Sequence, residues 1–223
     1  ANSGDMNTAV ISDNKTSMKT IISDFKQLTK VGLSLSVVFS SVAGYLLAVE
    51  TVDYFILSLL AIGGFFMVGA SNAFNQIIEK DTDAIMKRTQ NRPLPTGRMS
   101  VNVALTIAIV FTVLGISILY SINPKSALFG AVSIFLYTCV YTPLKAVTPL
   151  TVFVGAIPGA IPFMLGWVAA TNNFGIEAGF LFMIQFFWQF PHFWAIGWLQ
   201  HEEYKKAGFN MLPMGTKDRG AIK

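Results

Sequence analysis

This sequence has little charge, a single cysteine and no internal repeat. Asp, Glu, Lys and Arg together make up 13% of its 223 residues, about half of the ~25% that is typical of soluble domains. The low charge argues against an ordinary soluble domain, and the 53% of hydrophobic residues indicates a chain built for lipid. Cys139 has no second cysteine with which to form an intramolecular disulfide, which suits a protein with little oxidised extracellular structure.

Long apolar runs, by contrast, are abundant. A membrane-spanning helix takes about 20 apolar residues, and six runs are candidates, near 31–49, 54–74, 101–120, 126–142, 150–169 and 176–199. The runs are continuous, without the alternation in ~10-residue segments that marks a transmembrane β-barrel. The sequence therefore predicts an all-α, multi-span transmembrane helix bundle at 31–223. Residues 1–30 are expected to be a polar tail followed by a short amphipathic helix in the membrane interface.

The basic residues predict an orientation. Fifteen of the sixteen Lys and Arg residues precede the first span or lie in the segments 75–100, 143–149 and 200–223, and only Lys125 falls on the other side. By the positive-inside rule these segments and the N-terminus are cytoplasmic. The net charge of +4 thus reflects membrane orientation, and it gives no reason to expect nucleic acid as a partner.

The segment after the second span carries the strongest functional signal. Asn75, Glu79 and Asp83 recur every fourth residue, so on a helix they share one face, where like charges repel. A divalent cation would remove that repulsion, and Mg²⁺ accepts one or two carboxylates together with substrate phosphates. The cations that follow suit phosphate oxygens: Lys87, Arg88 and Arg92. A solvated interfacial loop would explain the charges, but neither the spacing nor the turn at 92–97.

The sixth run places polar residues inside an aromatic helix. Gln185, Gln189 and His192 are spaced four and three apart, and polar groups at membrane depth usually face a cavity or a partner. His192 is either a packed histidine bonded to a neighbouring helix, a haem-iron ligand or a contact to an anionic head group. Glu202 and Glu203 follow on the cytoplasmic side and are either a second acidic cluster or simply solvated.

Tyrosines mark the end of the fourth run. Tyr137 and Tyr141 lie on one face that ends near Lys145. Tyrosines at a membrane interface are commonly plain anchors, and the alternative is a role in binding or catalysis.

At these residues the chain resembles the UbiA-type intramembrane prenyltransferases and, among them, the haem O synthases (protoheme IX farnesyltransferases). The family's Asn-x-x-x-Asp-x-x-x-Asp motif matches at 75–83, with Glu79 in place of the middle Asp. The continuation Met-x-Arg-Thr-x-x-Arg-Pro-Leu matches at 86–94. Further similarity lies at Tyr141 to Lys145, at 188–194 around His192 and at 203–213.

The resemblance implies farnesyl transfer from farnesyl diphosphate to a vinyl group of haem B, giving haem O and diphosphate. Asn75, Glu79 and Asp83 would hold Mg²⁺, and Glu202 and Glu203 would form a second acidic motif. Substrates would be bound by the remaining candidates, which are Lys87, Arg88, Arg92, Tyr141, Lys145 and His192. It also implies an inner (plasma) membrane location and association with haem A synthase or terminal oxidase assembly.

Two features depart from the family pattern. Glu79 is one methylene longer than Asp, although both are hard oxygen ligands. Family members usually have nine spans, so six spans imply a C-terminally incomplete chain. The rival readings are a prenyltransferase acting on a quinone-precursor aromatic acceptor and, from a different class, a membrane transporter that uses the intramembrane polar residues.

Overall fold

The computed structural model describes residues 17–145, 147–148, 150–206 and 208. Within these ranges the chain forms helices and no strand, which confirms the all-α prediction. The polar tail at 1–16 and the similarity at 209–213 lie outside the described residues. The helices are α1 (Met18–Thr29), α2 (Val31–Ala48), α3 (Tyr54–Ile78), α4 (Lys80–Ile85), α5 (Val101–Ile122), α6 (Pro124–Phe135), α7 (Thr142–Leu144), α8 (Thr151–Thr171), α9 (Ile176–Leu199) and α10 (His201–Lys206), with a π-helical stretch, Leu136–Tyr141, joining α6 to α7.

Five helical segments in the described part of the chain are long and apolar enough to cross a membrane: α2, α3, α5, Pro124–Leu144 and α8. The predicted sixth span is also a helix, α9, with 24 residues. It falls outside the five because its polar side chains, among them Gln185, Gln189 and His192, lower its mean hydropathy. The chain is therefore a multi-pass membrane protein.

Side-chain caps fix where several of these helices begin. The Asp53 carboxylate accepts the backbone N–H of Phe55 at 2.9 Å at the start of α3. At the start of α6, the Asn123 side-chain oxygen accepts the backbone N–H of Ser126 at 2.8 Å, and Pro124 occupies the first turn. These residues satisfy N–H groups that have no partner within the helix.

Small residues let the spanning helices approach closely. A Cβ placed on Gly63 of α3 would lie 3.1 Å from Leu119 Cδ2 of α5. At the crossing of α2 and α8 the backbones touch, because a Cβ on Gly44 or Gly166 would overlap a carbonyl oxygen of the facing helix. Close backbone approach through small residues is the usual way in which membrane helices associate.

Amides of α3 hold the end of α1. Gln76 Nε2 donates to Leu28 O at 2.8 Å, and Asn72 Nδ2 donates to Thr29 O at 3.3 Å. They satisfy carbonyls that the helix end leaves free. The chain then turns at Lys30, whose φ is 46°, and continues into α2. This anchoring places Lys30 beside the C-terminal end of α3.

Candidate active site

The predicted acidic face exists, although the helix that carries it is interrupted. α3 ends at Ile78 and α4 begins at Lys80. The backbone bonds Glu79 N to Asn75 O (2.9 Å) and Asp83 N to Glu79 O (2.7 Å) keep the helical spacing across the break. Asn75, Glu79 and Asp83 are all buried, and all three line one cavity of about 210 Å³.

Basic side chains neutralise both carboxylates. Lys145 Nζ lies 2.9 Å from Glu79 Oε1 and 3.3 Å from Asn75 Oδ1. Arg92 Nη1 donates to Asp83 Oδ2 at 2.6 Å. Burial raises the pKa of Asp83, and the nearby Arg92 guanidinium opposes that rise. The acidic face is therefore held together by charge pairs between segments that are far apart in sequence.

Four cations line this cavity: Lys30, Arg88, Arg92 and Lys145. Sequence reasoning missed Lys30, counting it only as a topology signal. Burial, together with the charges of Arg92 and Lys145, lowers the pKa of Lys30 to about 7. A concave site with several guanidinium and ammonium groups suits an anion with several oxygens, such as a diphosphate.

Not every predicted residue reaches this cavity. The Lys87 side chain is exposed and is not part of the lining, whereas the preceding Met86 is buried and lines the cavity. Glu202 is exposed and also lies outside the lining. Glu203 is not part of the lining either, and its Oε2 accepts the backbone N–H of Arg88 at 3.4 Å. A role for these three residues stays a prediction.

A larger, mostly apolar chamber of about 530 Å³ adjoins the first cavity. Tyr137, Tyr141 and Phe193 line both, so they form the junction between the charged cavity and the chamber. His192 lines the chamber together with Gln185 and Gln189. It is exposed and meets Phe193 edge-on at a ring distance of 6.1 Å.

The π-helical stretch shapes this junction. π-helical turns are rare and frequently occur at functional sites. Here the Tyr137 and Tyr141 rings lie 5.2 Å apart, and Lys145 Nζ lies 4.7 Å from the Tyr141 ring centre. The Thr142 hydroxyl lies 2.8 Å from Tyr137 O and 3.0 Å from Asn75 Oδ1. The stretch thus ties the aromatic junction to the acidic face.

The donors of this face fit a hard cation. Asn75, Glu79 and Asp83 offer amide and carboxylate oxygens to one cavity, and such oxygens are the ligands that Mg²⁺ takes. Among the described residues no three His, Cys, Asp or Glu side chains converge on a common metal position. A cation bound here would therefore have two carboxylates and an amide as protein ligands, and oxygens of a bound substrate would complete its coordination.

Known proteins resemble this chain in sequence and in fold. The sequence pattern of the UbiA prenyltransferase family matches residues 37–223. A protoheme IX farnesyltransferase of Flavobacterium psychrophilum is 69% identical over 206 residues, covering 91% of this chain and 69% of that protein. One from Christiangramia forsetii is 70% identical over 200 residues, covering 90% and 67%. The structure of a UbiA homologue from Archaeoglobus fulgidus bound to GPP and Mg²⁺ shares the fold, with a TM-score of 0.67, 19% identity and coverage of 83% and 66%.

Proposed function

We propose that this chain, which belongs to the UbiA prenyltransferase family, transfers the farnesyl group of farnesyl diphosphate to a vinyl group of haem B. The observation that carries the proposal is the joining of a cation-lined acidic cavity to an apolar chamber through an aromatic junction. A substrate with a diphosphate head and an isoprenoid tail needs both environments, one beside the other. The reaction class is that of a transferase.

The charged cavity would hold and ionise the diphosphate. Arg88, Arg92, Lys145 and Lys30 would donate to its oxygens and stabilise the charge that grows as the carbon–oxygen bond breaks. Asn75, Glu79 and Asp83 would hold Mg²⁺, which when bound supplies further positive charge to the leaving group. The Asp83–Arg92 and Glu79–Lys145 pairs set these groups in place before substrate arrives.

The junction and the chamber would guide the allylic carbon. Tyr137 and Tyr141 line both cavities, so the farnesyl carbon that leaves the diphosphate would lie near their rings, and aromatic rings stabilise positive charge. The apolar chamber excludes bulk water, so that the haem vinyl group can attack first. The attack leaves a positive charge on the former vinyl group, and one water adds there and gives up a proton to complete the hydroxyethylfarnesyl side chain. The diphosphate then leaves on the cytoplasmic side of the inner membrane. Association with haem A synthase or terminal oxidase assembly stays a prediction from the resemblance.

The direct test is product analysis. Membranes containing the chain are incubated with farnesyl diphosphate, haem B and Mg²⁺, and the haem is analysed by mass spectrometry for the gain of one farnesyl group and one hydroxyl group. Asp83→Asn keeps the shape but removes a charge, so we expect turnover to fall about a hundredfold or more, and chelation of Mg²⁺ should act likewise. Prenylation of an aromatic quinone precursor in place of haem would favour the rival acceptor.

His192 is proposed to contact haem. It lines the chamber together with Gln185 and Gln189, and this position supports the proposal. His192→Ala should therefore weaken haem B binding much more than farnesyl diphosphate binding, and the two dissociation constants measure this. An equal loss of both affinities would assign His192 a packing role.

A further inference from the structure

Besides the charged active-site cavity and the apolar chamber, a wider cleft lies on the surface next to the charged cavity. It has a volume of about 840 Å³ and lies between α1, the start of α2 and the segment that follows α4. Five of its lining side chains are basic and none is acidic: Lys19, Lys26, Lys30, Arg88 and Arg92. The reaction proposed above assigns no role to Lys19 or Lys26.

Two of these cations, Lys19 and Lys26, lie on one side of α1. They are seven residues apart, about two helical turns, and Lys30 follows directly after the end of this helix. The carboxylate of α1, Asp24, lies in another direction, because it is buried and pairs with Arg98 Nε at 3.0 Å. The acid of this helix is thus neutralised outside the cleft.

Most of the positive charge in the cleft is uncompensated. Among the described residues, ion pairs within 4.0 Å join Arg92 to Asp83, Arg98 to Asp24 and Lys145 to Glu79. Lys19, Lys26 and Arg88 take part in none of them. Like charges held on one concave surface create a positive potential that attracts anions.

We propose that this cleft binds a phosphate-bearing anion and is an outer station for the diphosphate that leaves the active site. The proposal rests on the proposed function and extends it with a second site. Lys30, Arg88 and Arg92 line both the cleft and the active-site cavity. A diphosphate can therefore move outward while some of its oxygens stay bound to these cations, and Lys19 and Lys26 take up the others.

The head group of an anionic lipid has the same phosphate chemistry. Met18, Ile21 and Ile22 of α1 are exposed beside the lysines, as expected for a helix at a membrane surface. Diphosphate is favoured because the cleft continues into the catalytic cavity, which a head group anchored in the bilayer need not enter.

The test separates the two sites and the two sources of phosphate. The full chain is placed in neutral phosphatidylcholine nanodiscs, its active site is filled with farnesyl thiolodiphosphate and Mg²⁺, and inorganic pyrophosphate is titrated by calorimetry. The wild-type chain should bind pyrophosphate, and the double variant Lys19→Gln with Lys26→Gln should bind it about three- to tenfold more weakly, as expected for two partly exposed charge contacts. Binding should also weaken as salt rises.

The matched control is the double variant Lys80→Gln with Lys206→Gln, which removes the same charge from the same side of the protein outside the cleft. It should bind like the wild type. The proposal is overturned if the filled wild-type protein does not bind pyrophosphate, or if both double variants bind it equally. It is also overturned if Lys19 and Lys26 affect only retention on vesicles containing phosphatidylglycerol, which would assign the cleft to lipid. Failure of the proposed function would appear separately, as absence of haem O among the products.

Discussion

Lys87 and Arg88 are neighbours in the chain, yet their side chains lie in different surroundings. No local pattern separates them, because both follow the acidic motif. Both side chains are exposed, but Arg88 lines the cavity together with Met86 and Arg92, and Lys87 does not. At this scale, one step along the chain separates a cation that lines the cavity from one that does not.

This difference predicts the outcome of two substitutions. Arg88→Ala should raise the KM for farnesyl diphosphate about tenfold or more, because it removes charge-assisted hydrogen bonds to an anion. Lys87→Ala, as the matched control, should leave the KM within about twofold. Steady-state kinetics measures both values, and equal effects would contradict the placement of the two side chains.

Lys30 predicts a link between anion binding and protonation. Its pKa of about 7 in the free protein, lowered by burial and by neighbouring cations, means that the amine is mostly neutral at pH 8. A bound diphosphate favours the charged form of Lys30. Binding at pH 8 should therefore be accompanied by the uptake of as much as one proton by Lys30, in addition to any proton that the diphosphate itself takes up.

Calorimetry in two buffers of different ionisation enthalpy counts these protons. Lys30→Arg should bind the anion with less proton uptake, because the guanidinium is already charged. Equal uptake by the wild-type chain and Lys30→Arg would remove Lys30 from the diphosphate site.

At the scale of elements, the crossing of α2 and α8 shows how tightly the bundle is built. Ser41 Oγ of α2 donates to Pro162 O of α8 at 2.8 Å. In α8, Pro162 frees the carbonyl of Pro158, and Ser133 Oγ of α6 donates to that oxygen at 3.4 Å. The Ser133 hydroxyl of a neighbouring helix thus compensates for the hydrogen bond that Pro162 removes, as is usual within a membrane.

Gly166→Ala tests this crossing. A Cβ at Gly166 would overlap the Ser41 carbonyl and lie 2.5 Å from Tyr45 N, so the helices must move apart, at a cost of about 1–3 kcal/mol or more. The midpoint of thermal unfolding in detergent should fall. Gly179→Ala in α9 is the control, since nothing lies within 4 Å of a Cβ there. A midpoint unchanged by Gly166→Ala would show that the backbones are not in contact.

At the scale of the whole molecule, the helix bundle has two ends that differ in charge. Lys30, Arg92 and Lys145 meet at the acidic cavity. At another end, Lys125 Nζ donates to Asn172 O at 2.8 Å and Asn123 Nδ2 donates to Val168 O at 3.0 Å. We propose that the end carrying the acidic cavity faces the cytoplasm, in accord with the positive-inside rule.

Labelling with a membrane-impermeant maleimide tests this orientation. In a background in which Cys139 is replaced by Ser, Asn173→Cys should react in intact cells, and Gln90→Cys only after the membrane is permeabilised. Both positions are exposed, so access and not burial decides the result. The opposite pattern would invert the proposed orientation.

The sequence by itself determined the helical, multi-pass character of this protein and the shared face of Asn75, Glu79 and Asp83. Apolar length and a four-residue spacing are local properties, and backbone hydrogen bonding enforces them wherever a helix forms. Only the tertiary structure decided that Lys145 neutralises Glu79, that Lys30 joins the cavity and that Lys87 does not. Those partners are separated by tens of residues, and no local pattern specifies which helix ends will meet. Packing of α1, α3 and the π-helical stretch brings them together.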